Sequence, residues 1–278
     1  MIKDKEPTTV VDFDDITIES LQEATPNVLK VHKNGIYFYL KIKLKTDNNN
    51  LVVFSNGAYN PQKSNPPIFS RSSWHSDFNA NCIFIDDITI HNTECTLGWG
   101  VGTPDRYFLL EYSEIIQKVK SVLLISDENV VYFGSSAGGF MSMMLATFHK
   151  GSLAVPNNPQ VYAHKFGRGV AVNKLYNTRF PNMNENEIHK KFGDRFSLTE
   201  MVKKTGYTPK VLYLINAYSE EDIEKQYKPF VEDIKDIEID DTRIEFLFYH
   251  ADRGHEGIYS REKSAGIVNA YFNGHIHL

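Results

Sequence analysis

Short runs of β-branched and aromatic residues alternate along this chain with longer stretches in which apolar residues recur at helical spacing. The first runs flank Asn34-Gly35 in VHKNGIYFYLKIKLK, and that dipeptide between apolar runs is the strongest short hairpin signal. Leu51 to Phe54, Cys82 to Ile85, Val130 to Phe133, Leu153 to Val155, Val211 to Ile215 and Ile244 to Tyr249 read as buried strands. Between them, Tyr107 to Val122 places Leu110, Ile115, Val119 and Val122 on an apolar helix face. Met141, Met144, Leu145 and Phe148 mark a second helix, Glu221 to Ile234 a third and Tyr259 to Phe272 a closing one. Such alternation predicts an α/β fold with a doubly wound, mostly parallel sheet and an N-terminal antiparallel hairpin. Residues up to about Pro26 are acidic and weakly patterned, a surface lead-in. The polar stretch of about 157–206, with helical fragments at Glu185 to Phe192 and Leu198 to Lys204, reads as a cap inserted into a single domain of residues 1–278.

The strand at Val130 runs into Gly134-Ser135-Ser136-Ala137-Gly138, a match to G-x-S-x-G between a strand and a helix. In that context the motif is a nucleophile elbow, a tight turn presenting a serine hydroxyl at the end of a sheet. Gly134 and Gly138 fit it because neighbouring backbone passes too close for a Cβ. A chance glycine-rich turn is the plain alternative. No Lys-Ser/Thr pair closes the motif, which disfavours a phosphate loop. Ser136 is therefore the expected nucleophile.

A serine hydroxyl needs a base, and the base an orienting carboxylate. In open α/β sheets such groups collect at the carboxyl ends of strands. The last strand leads to Gly254-His255-Glu256-Gly257, and His255, on a loop before a helix, is the expected base among 10 histidines. The preceding strand leads to Glu220-Glu221-Asp222, any of which keeps the order serine, acid, histidine. These acids also suit the first turn of a helix, where carboxylates are favoured anyway. Glu220, earliest in the loop, is chosen as the acid, with Asp222 as the alternative. The oxyanion hole needs the N–H of Ala137 and a second from the loop after an earlier strand, where Asn56-Gly57-Ala58 lies. Gly57 is assigned to it and Asn56 to substrate binding. Trp99, in Gly98-Trp99-Gly100-Val101-Gly102, is assigned with Arg71 and Trp74 to lining a sugar site by stacking. That glycine run lacks G-x-G-x-x-G, which argues against dinucleotide binding. Lysines and arginines of the cap, among them Lys165, Arg179 and Arg195, face either an anionic ligand or plain solvent. The spacing of His250, Asp252 and His255 is not diagnostic of a metal site, and no metal is expected.

Charge and composition narrow the classes. A net charge of -5 argues against a general nucleic-acid binder. Cys82 and Cys95 are the only cysteines, too few for a disulfide framework. The start, MIKDKEPTTVVDFDD, lacks the apolar segment of a signal peptide, and no run reaches membrane-spanning length. A cytoplasmic location is the resulting expectation. A homo-oligomer is compatible with the sequence.

LVVFSNGA, FSRSSW at Phe69 to Trp74, LGWGVG, YFGSSAGGF, the NNPQ of Asn157 to Gln160 and GHEG around His255 spread from about residue 50 to 260. Together they resemble capsule and other surface-polysaccharide O-acetyltransferases of the α/β-hydrolase fold and, more distantly, the hydrolase-like component of accessory Sec glycoprotein export. The resemblance implies an acyl-enzyme on Ser136 assisted by His255, acetyl-CoA as acyl donor and co-substrate, and a polysaccharide or sugar-precursor hydroxyl as acceptor. Relatives carry an aspartate where an ungapped match puts Ser219, which implies a loop shift that brings Glu220 into its place, or a weakened triad. An esterase or deacetylase using the same residues with water is the first alternative. A non-catalytic glycan-binding or secretion-accessory protein on the same fold is the second.

Overall fold

The computed structural model describes residues 7–237 and 243–277, so the first six residues of the expected lead-in lie outside the described residues. Nine strands form one sheet in the order β1-β2-β3-β5-β4-β6-β7-β8-β9. They are β1 (Thr8–Asp12), β2 (Val28–Lys33), β3 (Ile36–Lys43), β4 (Leu51–Phe54), β5 (Asn81–Ile85), β6 (Val130–Ser135), β7 (Leu153–Asn157), β8 (Lys210–Asn216) and β9 (Ile244–Tyr249). Strand β3 is antiparallel to both its neighbours, and β4 to β9 are parallel throughout. The hairpin forms at Asn34-Gly35, both with positive φ (51° and 79°), as a two-residue turn that matches strand twist requires.

The central strands are buried at every position because both faces are covered. On one face lie α2 (Phe108–Val122) and α3 (Ala137–Phe148), which join the larger core with Tyr132, Val53 and Tyr213. On the other, the closing helix packs Ala265 and Val268 against Phe54, Phe133 and Leu214. Helix α3 is buried from Ala137 to Thr147, as an all-round apolar helix should be. Helix α2 turns Phe108, Leu109, Tyr112, Ile115, Ile116 and Val119 inward, whereas Leu110, expected on that face, is 41% exposed.

The lead-in is more structured than its composition suggests. β1 pairs in parallel with β2, and α1 (Ile18–Ala24) starts on a capping box in which Thr17 and Ser20 exchange hydrogen bonds. Between β7 and β8 the chain forms α4 (Val170–Arg179), α5 (Glu185–Phe192) and α6 (Leu198–Thr205), of which α4 was not anticipated. The segment is tied down by arginines spent on main-chain carbonyls. Arg179 donates to Thr89 O and His91 O at 2.7 and 2.6 Å, and Arg195 to Thr103 O at 2.7 Å.

Candidate active site

Ser136 caps α3 with φ 58° and ψ −126°, a backbone conformation that non-glycine residues avoid. The surroundings hold it there. Its N–H donates to Asn157 O of β7 at 3.1 Å, and its own carbonyl accepts from Phe140 N and Gln160 N. A Cβ on Gly134 would sit 2.2 Å from Gly138 O, and one on Gly138 would sit 2.6 Å from Ser55 O. Both glycines are therefore demanded by the tightness of the turn.

Ser136 Oγ lies 2.9 Å from His255 Nε2. His255 Nδ1 is in turn 2.8 Å from each carboxylate oxygen of Asp222. This geometry fits the tautomer protonated on Nδ1, leaving Nε2 free to accept the serine proton. The carboxylate against His255 is thus Asp222 and not the expected Glu220. The reason is helical phase. Glu220–Asp222 form a helical turn, α7, in which successive side chains point about 100° apart, so only one of three can face inward. Glu220 and Glu221 are exposed, and Glu221 pairs with Lys225. Asp222 is buried and also accepts from Ser219 Oγ at 2.5 Å. Ser219 thus contributes a hydroxyl that fixes the carboxylate.

Burial alone would lower the His255 pKa, but the hydrogen bond and charge of Asp222, with help from Glu221 and Glu256, more than offset it and leave it raised. To accept a proton from Ser136, His255 must be deprotonated. Activity should fall as pH drops through a midpoint above the ordinary 6.5. In Asp222→Asn the hydrogen bond and charge of the carboxylate are gone and only the smaller pulls of Glu221 and Glu256 still oppose burial, so the imidazole should titrate lower than in wild type; an NMR titration of the His255 ring protons measures this directly.

The N–H groups of Ala137 and Gly57, the two expected oxyanion donors, have no hydrogen-bond partner among the described residues. Gly57 packs against the nucleophile: a Cβ there would lie 3.8 Å from Ser136 Cβ and 3.2 Å from Ser135 O. Asn56, expected to touch substrate, is buried and instead clamps the loop beyond it. Its Oδ1 accepts from Ser70 N at 2.8 Å and its Nδ2 donates to Ile68 O.

No family model matches the sequence, and no curated protein does. Solved structures do. The capsule O-acetyltransferase of Neisseria meningitidis serogroup A superposes with a TM-score of 0.62 at 12% identity, covering 88% of this chain and 92% of its own. A histidine mutant of that enzyme in complex with CoA gives 0.57 at 14%, covering 90% and 95%. FphF, a fluorophosphonate-binding serine hydrolase of Staphylococcus aureus, gives 0.55 at 14%, covering 88% and 96%. Carboxyl esterase 2 of Tuber melanosporum gives 0.56 at 14%, covering 90% and 87%. The chain has the α/β-hydrolase fold. Identities this low establish the fold alone.

Within the α/β-hydrolase frame, Gln160, given no role from sequence, touches Ser136, and Trp99 supports it from a place other than the expected one. Gln160 Nε2 donates to Ser136 Oγ at 2.8 Å, and Gln160 Oε1 accepts from Trp99 Nε1 at 2.6 Å. The indole donor fixes which end of the amide faces the serine. Trp99, expected on a sugar site, is fully buried behind Gln160 instead. Asp87 Oδ2 accepts from Gly100 N at 3.1 Å and holds the loop that carries the tryptophan. Trp99→Phe should strand Gln160 Oε1 and free the amide to rotate. Ester hydrolysis should fall about tenfold in kcat with KM unchanged, as steady-state kinetics would report.

The other members of NNPQ serve the same end. Asn158 Nδ2 donates to His255 O at 3.2 Å, while Asn157 Nδ2 donates to Tyr249 OH at 2.6 Å, and that hydroxyl donates to Gly257 O. Asn216, at the end of β8, holds the same loop through Ala251 O and Gly254 O. One short segment at the end of β7 therefore positions both Ser136 and the loop of His255. Among the described residues no three His, Cys, Asp or Glu side chains group as a metal site would need.

Proposed function

We propose that the chain is a serine O-acetyltransferase that moves acetyl from acetyl-CoA to a hydroxyl of a bacterial surface polysaccharide or its precursor. The observation that carries this reading is the continuous hydrogen-bonded series Ser136, His255, Asp222 at 2.9 and 2.8 Å. As Ser136 Oγ attacks the thioester carbonyl, its proton passes to His255 Nε2, and the imidazolium formed is stabilised by buried Asp222. The N–H groups of Ala137 and Gly57 receive the oxyanion. The C–S bond then breaks, the CoA sulfur takes the proton from His255, and acetyl remains on Ser136. A sugar hydroxyl attacks next, giving its proton to His255, which returns it to Ser136 Oγ as the ester is released.

The likeness to a capsule O-acetyltransferase, one of whose mutants was solved with CoA, supports transfer to a glycan. The comparable likeness to esterases supports a second reading, in which water takes the place of the sugar. Intact mass after incubation with acetyl-CoA tests the first half-reaction. One added acetyl, absent in Ser136→Ala, is expected. Release of free CoA with no acetyl on protein or glycan would favour the esterase reading, and neither adduct nor CoA release would remove acetyl-CoA as donor. No helix among the described residues is long and apolar enough to cross a membrane.

A further inference from the structure

Arg71 stands beside the nucleophile without an acidic partner. Its Nη2 donates to Ser135 Oγ at 2.7 Å, a neutral hydroxyl on the residue before Ser136. Its Nε is buried with no partner, Nη1 makes no hydrogen bond to a described residue, and the side chain as a whole is half-buried. The acids around it are engaged elsewhere: Asp77 with Arg261 at 2.6 Å, and Asp86 with His91 and with Ile68 N. No described carboxylate pairs with Arg71. The guanidinium lies over Trp74 (5.2 Å) and Phe133 (5.9 Å), whose ring faces supply part of the missing negative charge. Burial lowers its pKa to about 10, so it stays charged at neutral pH.

The backbone is set for this placement. Arg71 has φ 62° and ψ 15°, left-handed values unfavourable to a side chain. It is held there by Asn56 and Asp86 on the preceding residues and by Trp74 N, which donates to Arg71 O at 2.7 Å. A cation partly withdrawn from water and left without a counter-charge is costly to keep. The strained loop holds it against Ser135, the residue before Ser136, with two of its three guanidinium nitrogens free of hydrogen bonds to described residues. The 2.7 Å hydrogen bond to Ser135 Oγ, one Cα-to-Cα step and the reach of two serine side chains put Nη2 within about 11 Å of Ser136 Oγ.

We propose that Arg71 forms the subsite for an anionic group, a carboxylate or a phosphate, carried by the sugar that meets Ser136. This deepens the acyl-transfer reading and rests on it for the identity of the ligand as a glycan. The phosphates of CoA are poor candidates, because the pantetheine arm holds them far from the acyl carbon, whereas an acidic group on the accepting sugar lies close to its hydroxyl. A planar fork of N–H donors suits either anion.

Trp74 makes the subsite observable without turnover. The intact chain would be titrated with methyl glucuronide, glucose 1-phosphate and methyl glucoside while its tryptophan emission is followed. One or both acidic sugars should perturb the emission at a concentration about tenfold below that of the neutral glucoside. Which of the two does so identifies carboxylate or phosphate as the source. Arg71→Gln should erase the preference. Arg71→Lys, which keeps the charge should the glutamine variant not fold, should weaken it several-fold. Equal responses to all three sugars in the wild type, or a preference that survives in Arg71→Gln, would overturn the proposal. Fluorophosphonate labelling of Ser136 in the same samples reports separately on the acyl-enzyme. Loss of labelling with the anion preference intact sinks the acyl-transfer reading and leaves the subsite standing.

Discussion

Ser136→Ala should lose about a millionfold in kcat towards an activated ester such as 4-nitrophenyl acetate, and all labelling by a fluorophosphonate. His255→Ala should lose a comparable amount, and the double variant no more than either single one. The reason is geometric. Ser136 Oγ has one base within reach, His255 Nε2 at 2.9 Å, and neither group accomplishes the acylation without the other. The residual rate in each should come from the Ala137 and Gly57 N–H groups and from binding. Additive losses, seen by comparing the three variants in one assay, would mean that the two residues act separately.

Asp222→Asn should cost about ten-thousandfold in kcat, while Glu220→Gln should be nearly silent. The buried carboxylate accepts the Nδ1 proton of His255 and so fixes the tautomer that leaves Nε2 able to accept. An asparagine turned with its amide towards Nδ1 holds the opposite tautomer, with the proton on Nε2 facing the serine. Glu220 is exposed in the first turn after β8 and touches neither partner. Melting temperatures of the two variants should differ little from wild type, which separates a lost base from a lost fold. A large loss in Glu220→Gln with Asp222→Asn active would reverse the assignment.

The comparison of these two acids shows where sequence reasoning stops. The parallel strands were legible because a strand buried on both faces must be apolar throughout, as Val130–Phe133 and Val211–Ile215 are. β1 was not, since it is an edge strand with alternating exposed and half-buried positions in an acidic context. Ser136 and His255 stand where a strand-end rule puts them. The acid does not follow from loop order, because Glu220, Glu221 and Asp222 differ only in helical phase. A signal was present: Ser219, Asp222, Gln226 and Phe230 recur at helical spacing, and all four are buried. That stripe marks the inward face. Trp99 and Gln160 were misjudged or unassigned for another reason. Their partners lie 61 and 24 residues away along the chain, and no local pattern encodes such a contact.

The position of β9 has a consequence for how this protein fails. The strand closes the sheet at one edge, bonded among the described residues to β8 alone, and its residues are mostly half-buried or exposed. His255 hangs from its far end, 119 residues from the serine it serves. Fraying of an edge strand requires less free energy than unfolding the buried centre, so function and fold should part company in denaturant. Ester turnover should be half lost at a urea concentration at which far-ultraviolet circular dichroism still reports a folded sheet. A nascent chain would meet the same condition in reverse. Its serine would stay chemically quiet until β9 had docked, and onset of reactivity would then serve as a clock for the docking of that strand.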